Sequence, residues 1–179
     1  MHVLALRLYT TAAFRSLNGP MRDTARVGPH ALSVTVNCIA EGIRRLRAVD
    51  AASADANEEV ILYRGLKDLK VPASFLKSGG TELAPMSTTT DLAVALKYSA
   101  SANSSVLLCI TTSNFMARGA DLTWLSAFPA ECEKLYPPLT YLEPVAGKQE
   151  PPIEIREVVG GVPMCAKFHV VRVVPHFGS

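Results

Sequence analysis

The chain has no excess of charge of one sign: 18 Lys and Arg stand against 16 Asp and Glu, a formal net charge of +2. Domains that grip nucleic acid usually carry a strong basic surplus, so a polyanion groove is excluded as the main surface. It also lacks a long apolar run. Nothing approaches the roughly 20 residues needed to cross a bilayer, and the apolar start at Met1 to Leu8 is interrupted by Arg7, unlike a signal peptide. The sequence therefore reads as soluble, cytoplasmic and without membrane contact. Cys38, Cys109, Cys132 and Cys165 form no C-x-x-C pair and have no His at ligand spacing, which leaves no zinc site or redox motif. Reduced thiols are the expected state, with two disulfides as the alternative. There is no internal repeat and no low-complexity tract. What remains is 179 residues with an apolar fraction of 49%, enough for one domain with a core that needs no staple.

The first part of the chain reads helical. Thr10 or Thr11 can cap a short helix through Ala12, Phe14 and Leu17 that Asn18, Gly19 and Pro20 end. Leu32, Val36, Ile39, Ile43 and Leu46 recur at steps of three and four, one buried helix face, with Arg44, Arg45 and Arg47 as its solvated side. Ala51 to Asn57 reads as a surface linker. The remainder reads mostly as strands. Val60 to Arg64 is β-branched and aromatic and is followed at once by Gly65. Leu83 to Thr89 is a second strand, and Asp91 stands as N-cap before a helix over Leu92 to Tyr98. Ser105 to Thr111 has the continuous apolar character of a strand buried on both faces. Glu131 to Leu135 and Leu139 to Val145 read as strands broken by Pro137 and Pro138, which belong at an edge or bend. Ile153 to Val159 and Val162 to Val174 form a hairpin about Gly160 and Gly161.

Three segments carry chemistry: Leu62-Tyr63-Arg64-Gly65-Leu66, Met86-Ser87-Thr88-Thr89-Thr90 and Glu131-Cys132-Glu133. Each has a plain structural reading. Arg64 can be a salt-bridge partner, Ser87 to Thr90 a polar strand end before a capped helix, and the two acids a charged edge that discourages aggregation. Yet Arg64 shares a strand face with Val60 and Leu62, an odd place for a guanidinium. If extended, Glu131 and Glu133 project from one face with Cα atoms about 6.6 Å apart. Like charges so close call for a substrate or cation between them, or for hydrogen bonds that hold one ionised. An inverting glycosidase uses carboxylates at a similar separation but from opposite sides of the bond, which neighbours on one strand cannot supply.

In this order and combination the segments resemble the mono-ADP-ribosyltransferases of the Arg-Ser-Glu class, which include arginine-specific transferases and cholera-toxin-like enzymes. Tyr9-Thr10-Thr11 through Asn18-Gly19-Pro20-Met21-Arg22 looks like the amino-terminal helix common in that family, so the resemblance runs from about Leu8 to Val174. It implies an α+β fold, with amino-terminal helices packed on a split two-sheet β core. One catalytic domain over 1–179 then has a helical part at 1–57 and a β-rich NAD-binding core at 58–179. The resemblance implies NAD as substrate, with NADP as an alternative donor and no metal. It also implies an arginine-containing target protein and a monomer that binds no nucleic acid.

By the same resemblance, Glu133 stabilises the positive charge that develops on ribose as nicotinamide leaves, acting through the 2′-hydroxyl. Arg64 offers its planar fork of donors to the phosphates, and Ser87 orients Glu133. Thr88 and Thr89 support the strand beside the nicotinamide pocket, and Gly65 lets a ligand approach the backbone closely. Glu131 engages the acceptor arginine, and Phe128, on the turn loop before the acids, contacts the target protein. Thr89 departs from the family's Ser-Thr-Ser but keeps the hydroxyl. Cys132 should face away and pack, Tyr98 suits either the family's aromatic or the core, and His2, His30, His169 and His176 show no catalytic pairing. Two other readings stay open: an NAD glycohydrolase with water as acceptor, and a non-catalytic NAD-binding module.

Overall fold

The computed structural model describes residues 1–51, 58–99, 104–149, 153–159 and 162–178. Among them the elements run α1 (His2–Tyr9), α2 (Phe14–Arg22), α3 (Ser33–Asp50), β1 (Val60–Leu66), α4 (Ala73–Ser78), β2 (Gly80–Glu82), β3 (Met86–Thr89) and α5 (Leu92–Ser99). There follow β4 (Ser104–Thr112), β5 (Ala120–Asp121), β6 (Glu133–Tyr136), β7 (Thr140–Gln149), β8 (Ile153–Val159) and β9 (Val162–His176). Helices with a mixed sheet give the expected α+β class. The strands follow the order β2-β7-β9-β4-β1-β3-β6-β5, with β8 also on β9. The junction in mid-sheet is narrow: β1 meets β3 through the single pair Tyr63↔Thr89.

The expected apolar faces form three cores. Leu6, Tyr9 and Leu17 from α1 and α2 join Ile39 and Ile43 of α3 against Ala120, Leu122, Leu125 and Leu135. On one face of β4, Val106, Leu108 and Ile110 pack with Leu62, Met86 and Tyr136. On its other face, Leu107 and Cys109 pack with Ala95, Phe168 and Val170. A strand covered on both sides needs no polar alternation, which is why Ser105 to Thr111 reads as one apolar run.

Several elements differ from the sequence reading. Helix α1 has no one-sided pattern to reveal it, because Ala5, Leu6 and Tyr9 are buried while Val3, Leu4 and Leu8 are exposed. Helix α2 continues through Pro20 to Arg22, held by tertiary contacts: the Asn18 amide donates to Tyr9 Oη at 3.0 Å and to the Pro85 carbonyl at 3.5 Å. The short α4 and β2 lie between β1 and β3, in a stretch to which the sequence pattern assigned no helix or strand. Arg44 and Arg45 are solvated and pair with Glu41. Arg47 is not on that face: it is buried, donates to the carbonyls of Arg118 and Met116 at 3.0 and 2.8 Å, and lies over the Phe177 ring. One turn along the helix from Ile43, it inherits the core side, and burial lowers its pKa. Strand β6 is no edge, since β3 and β5 flank it. The turn at Gly160 and Gly161 and the linker from Ala52 lie outside the described residues, while Cys38 and Cys132 carry free thiols.

Gly65 is required by packing of α5 on β1. A Cβ there would stand 2.2 Å from the Ala95 carbonyl oxygen and 2.4 Å from Ser99 Oγ. The sequence reading assigned this glycine to close approach of a ligand; α5 fills the side that a Cβ would take, while the residue itself lines the cleft described below. Gly65→Ala is expected to push α5 off the sheet and destabilise the fold by about 1–3 kcal/mol, as overpacking generally does. Thermal or denaturant unfolding measures it.

Candidate functional site

A cleft of about 710 Å³ opens between the amino-terminal helices, β1, β3, α5 and the segment before β6, a size usual for ligand sites. Arg64, Gly65, Ser87, Thr88, Thr89, Phe128, Glu131 and Glu133 all line it. Register explains part of this convergence. β3 and β6 pair antiparallel with Ser87↔Leu135 and Thr89↔Glu133, so Ser87, Thr89 and Glu133 share one face. β1 then brings Arg64 beside them.

Arg64 is tied in place by Nη1 donating to the Ser87 carbonyl at 2.7 Å, with Nη2 lying 3.7 Å from Glu82 Oε2. Its side chain is 16% exposed, and burial lowers the pKa of the guanidinium while Glu82 opposes that shift. Glu82 also accepts from Nε and Nη2 of Arg22, at 2.9 and 3.0 Å. Two guanidinium groups that line the cleft thus share one carboxylate, leaving positive charge for an anion.

Glu133 is 7% exposed. Burial pushes its carboxyl above the usual carboxylate range, and the Glu131 charge adds to this. A hydrogen bond from Ser87 and the Arg64 charge pull the other way. A buried carboxylate held by a hydroxyl is oriented and poorly hydrated, the state in which it best opposes a developing positive charge.

The strand reading of Glu131 is wrong. Pro129–Glu131 is a single 3-10 turn and Cys132 has φ 47°, so the chain kinks between the acids rather than extending. Pro129 favours the turn, and the Glu-Cys-Glu spacing alone gave no warning of the left-handed residue. Glu131 reaches the cleft from that turn; its backbone carbonyl accepts from Thr89 Oγ1 at 2.6 Å. Thr88 supports β3 by donating to the Lys134 carbonyl at 2.8 Å. Phe128 is 54% exposed at the cleft.

Tyr9, Asn18 and Arg22, which line the cleft, escaped the sequence reading as site residues, as did Glu82, the carboxylate that faces both arginines from outside the lining. Asn18 is 4% exposed, and its Oδ1 is buried beside the cleft without a hydrogen-bond partner. An orphaned buried acceptor suggests a ligand donor that completes it. Together with the Arg22 and Arg64 cations, this acceptor fits a dinucleotide, which offers hydroxyls and a pyrophosphate. Among the described residues no group of three His, Cys, Asp or Glu gathers to hold a metal, and no helix is long and apolar enough to cross a membrane.

No protein-family model matches the sequence, and no curated protein matches it. Solved structures do match. Plx2a, an ADP-ribosyltransferase toxin from Paenibacillus larvae, has a TM-score of 0.58 at 16% identity, over 97% of this chain and 85% of its own. The eukaryotic mono-ADP-ribosyltransferase ART2.2, as a mutant in complex with NADH, has a TM-score of 0.65 at 15% identity, over 99% of this chain and 66% of its own. The Vibrio splendidus ADP-ribosyltransferase Vis, in complex with agmatine, has a TM-score of 0.59 at 18% identity, over 97% of this chain and 74% of its own. Likeness across nearly the whole chain, at identities below a fifth, is a likeness of backbone, and by it this chain has the mono-ADP-ribosyltransferase fold.

Proposed function

We propose that the protein transfers ADP-ribose from NAD to an arginine side chain of a target protein and releases nicotinamide. The observation that carries this reading is the meeting of Arg64, Ser87, Glu133 and Glu131 in one cleft. NAD is the substrate, with NADP as an alternative donor, and no metal takes part.

Each residue has one task. Arg64 and Arg22 bind the pyrophosphate, and Asn18 accepts from the dinucleotide. Ser87 holds Glu133, which hydrogen-bonds the ribose 2′-hydroxyl and stabilises the cation formed as the bond from ribose to nicotinamide lengthens. The cleft walls limit access of water. Glu131 receives the acceptor guanidinium, which stays charged in water, and takes its proton as nitrogen attacks the ribose carbon. Phe128 offers an exposed aromatic surface to the target. That Vis binds agmatine, itself a guanidine, agrees with a guanidinium acceptor on this fold.

The test follows label from NAD onto agmatine while nicotinamide is counted. Wild type should release nicotinamide and label agmatine, and Glu131→Gln should lower the ratio of transfer to release at least tenfold. Release that ignores agmatine would make the protein an NAD glycohydrolase. NAD binding without release would make it a binding module.

A further inference from the structure

Tyr98 lies in the last turn of α5, lines the cleft and is 61% exposed. Its hydroxyl donates to Glu131 Oε1. Glu131 is therefore held at both ends by different elements: its carbonyl by Thr89 on β3, and its carboxylate by Tyr98 on α5.

This second hold has a physical purpose. The Glu131 charge is close enough to disfavour the charged form of Glu133. A flexible carboxylate on a one-turn helix would relieve that repulsion by swinging toward solvent. The phenol hydroxyl opposes the swing, because it gives the carboxylate a donor on the cleft side. The contact also acts on Tyr98: the bond to Glu131 is the foremost cause that raises its phenol pKa.

We infer that Tyr98 is a positioning residue whose hydroxyl holds the Glu131 carboxylate in the cleft to meet an incoming guanidinium. It thereby sets the share of ADP-ribose passed to the acceptor rather than to water. The inference rests on the transferase reading above. It names a residue that acts through Glu131 and not on NAD.

Tyr98→Phe removes the donor and keeps the ring. With agmatine and labelled NAD, its ratio of transfer to nicotinamide release should fall about tenfold, through a higher KM for agmatine rather than for NAD, as expected for loss of one hydrogen bond to a charged group. In a Glu131→Gln background the same change should add nothing. Independently of activity, absorbance titration of the phenols, assigned by difference from Tyr98→Phe, should show the Tyr98 pKa falling when Glu131 becomes Gln.

A wild type that transfers, with a variant ratio equal to its own, overturns this inference alone. So does a Tyr98 titration indifferent to Glu131→Gln. A wild type that releases no nicotinamide, or releases it only to water, overturns the transferase reading and this inference with it.

Discussion

Glu133→Gln should lower nicotinamide release from NAD by about 10²–10³-fold, the usual cost of removing one preorganised electrostatic group, while making the folded chain more stable at neutral pH. The amide keeps the size of the side chain and can still accept from Ser87, so the loss is one of charge. The gain in stability follows from burial. Glu133 has its carboxyl pKa raised in the folded state, so the folded chain holds this proton more tightly than the unfolded chain does. Stability is therefore lost as pH rises from the ordinary glutamate value, about 4.3, through the higher folded value. Unfolding curves of both proteins should converge near pH 3 and separate toward neutrality, with the variant higher. The same shift places the acid limb of kcat/KM for NAD above the usual glutamate range. A variant no more stable at pH 7 would mean that Glu133 is not ionised at a cost.

Arg64→Lys should lower kcat/KM for NAD about 100-fold, chiefly through KM, and should also lower the unfolding temperature. The guanidinium uses one nitrogen on the Ser87 carbonyl and turns another toward Glu82. A lysine is a point charge on a flexible stem and cannot hold the strand and present a planar fork to phosphate together. Charge-assisted hydrogen bonds are worth about 1.5–3 kcal/mol each, so losing one or two accounts for the expected factor. Initial rates against NAD concentration separate KM from kcat. A KM equal to that of wild type would leave Arg64 as a tie between β1 and β3 and remove it from phosphate binding.

These two changes act on residues the sequence could single out, for reasons that are local. Arg64 stands on the core-facing side of an apolar strand, where a charge costs energy without a purpose. Ser87 and Glu133 stand out only in order and combination with Arg64, by resemblance to the mono-ADP-ribosyltransferases, whereas the apolar run of β4 shows its double burial directly. Glu131 was legible as a residue but not in its geometry. A left-handed Cys132 is decided by how Pro129–Glu131 turns against Thr89, a contact 42 residues distant in sequence. Arg47 and Arg44 look alike in the letters, and only the packing of α3 buries the first and solvates the second.

Short-range pattern and residue chemistry thus determined the order of helices before strands, the main helix, the buried strand and the three segments that carry charge and hydroxyls. The tertiary structure decided which of them meet: the narrow β1–β3 junction, the bend between the two acids, the α5 face that requires Gly65, and the Tyr98 and Asn18 side chains at the cleft. Period and propensity act over a few residues along the chain. A cleft is made by contacts between residues far apart in it, and their pairing is a property of the whole fold.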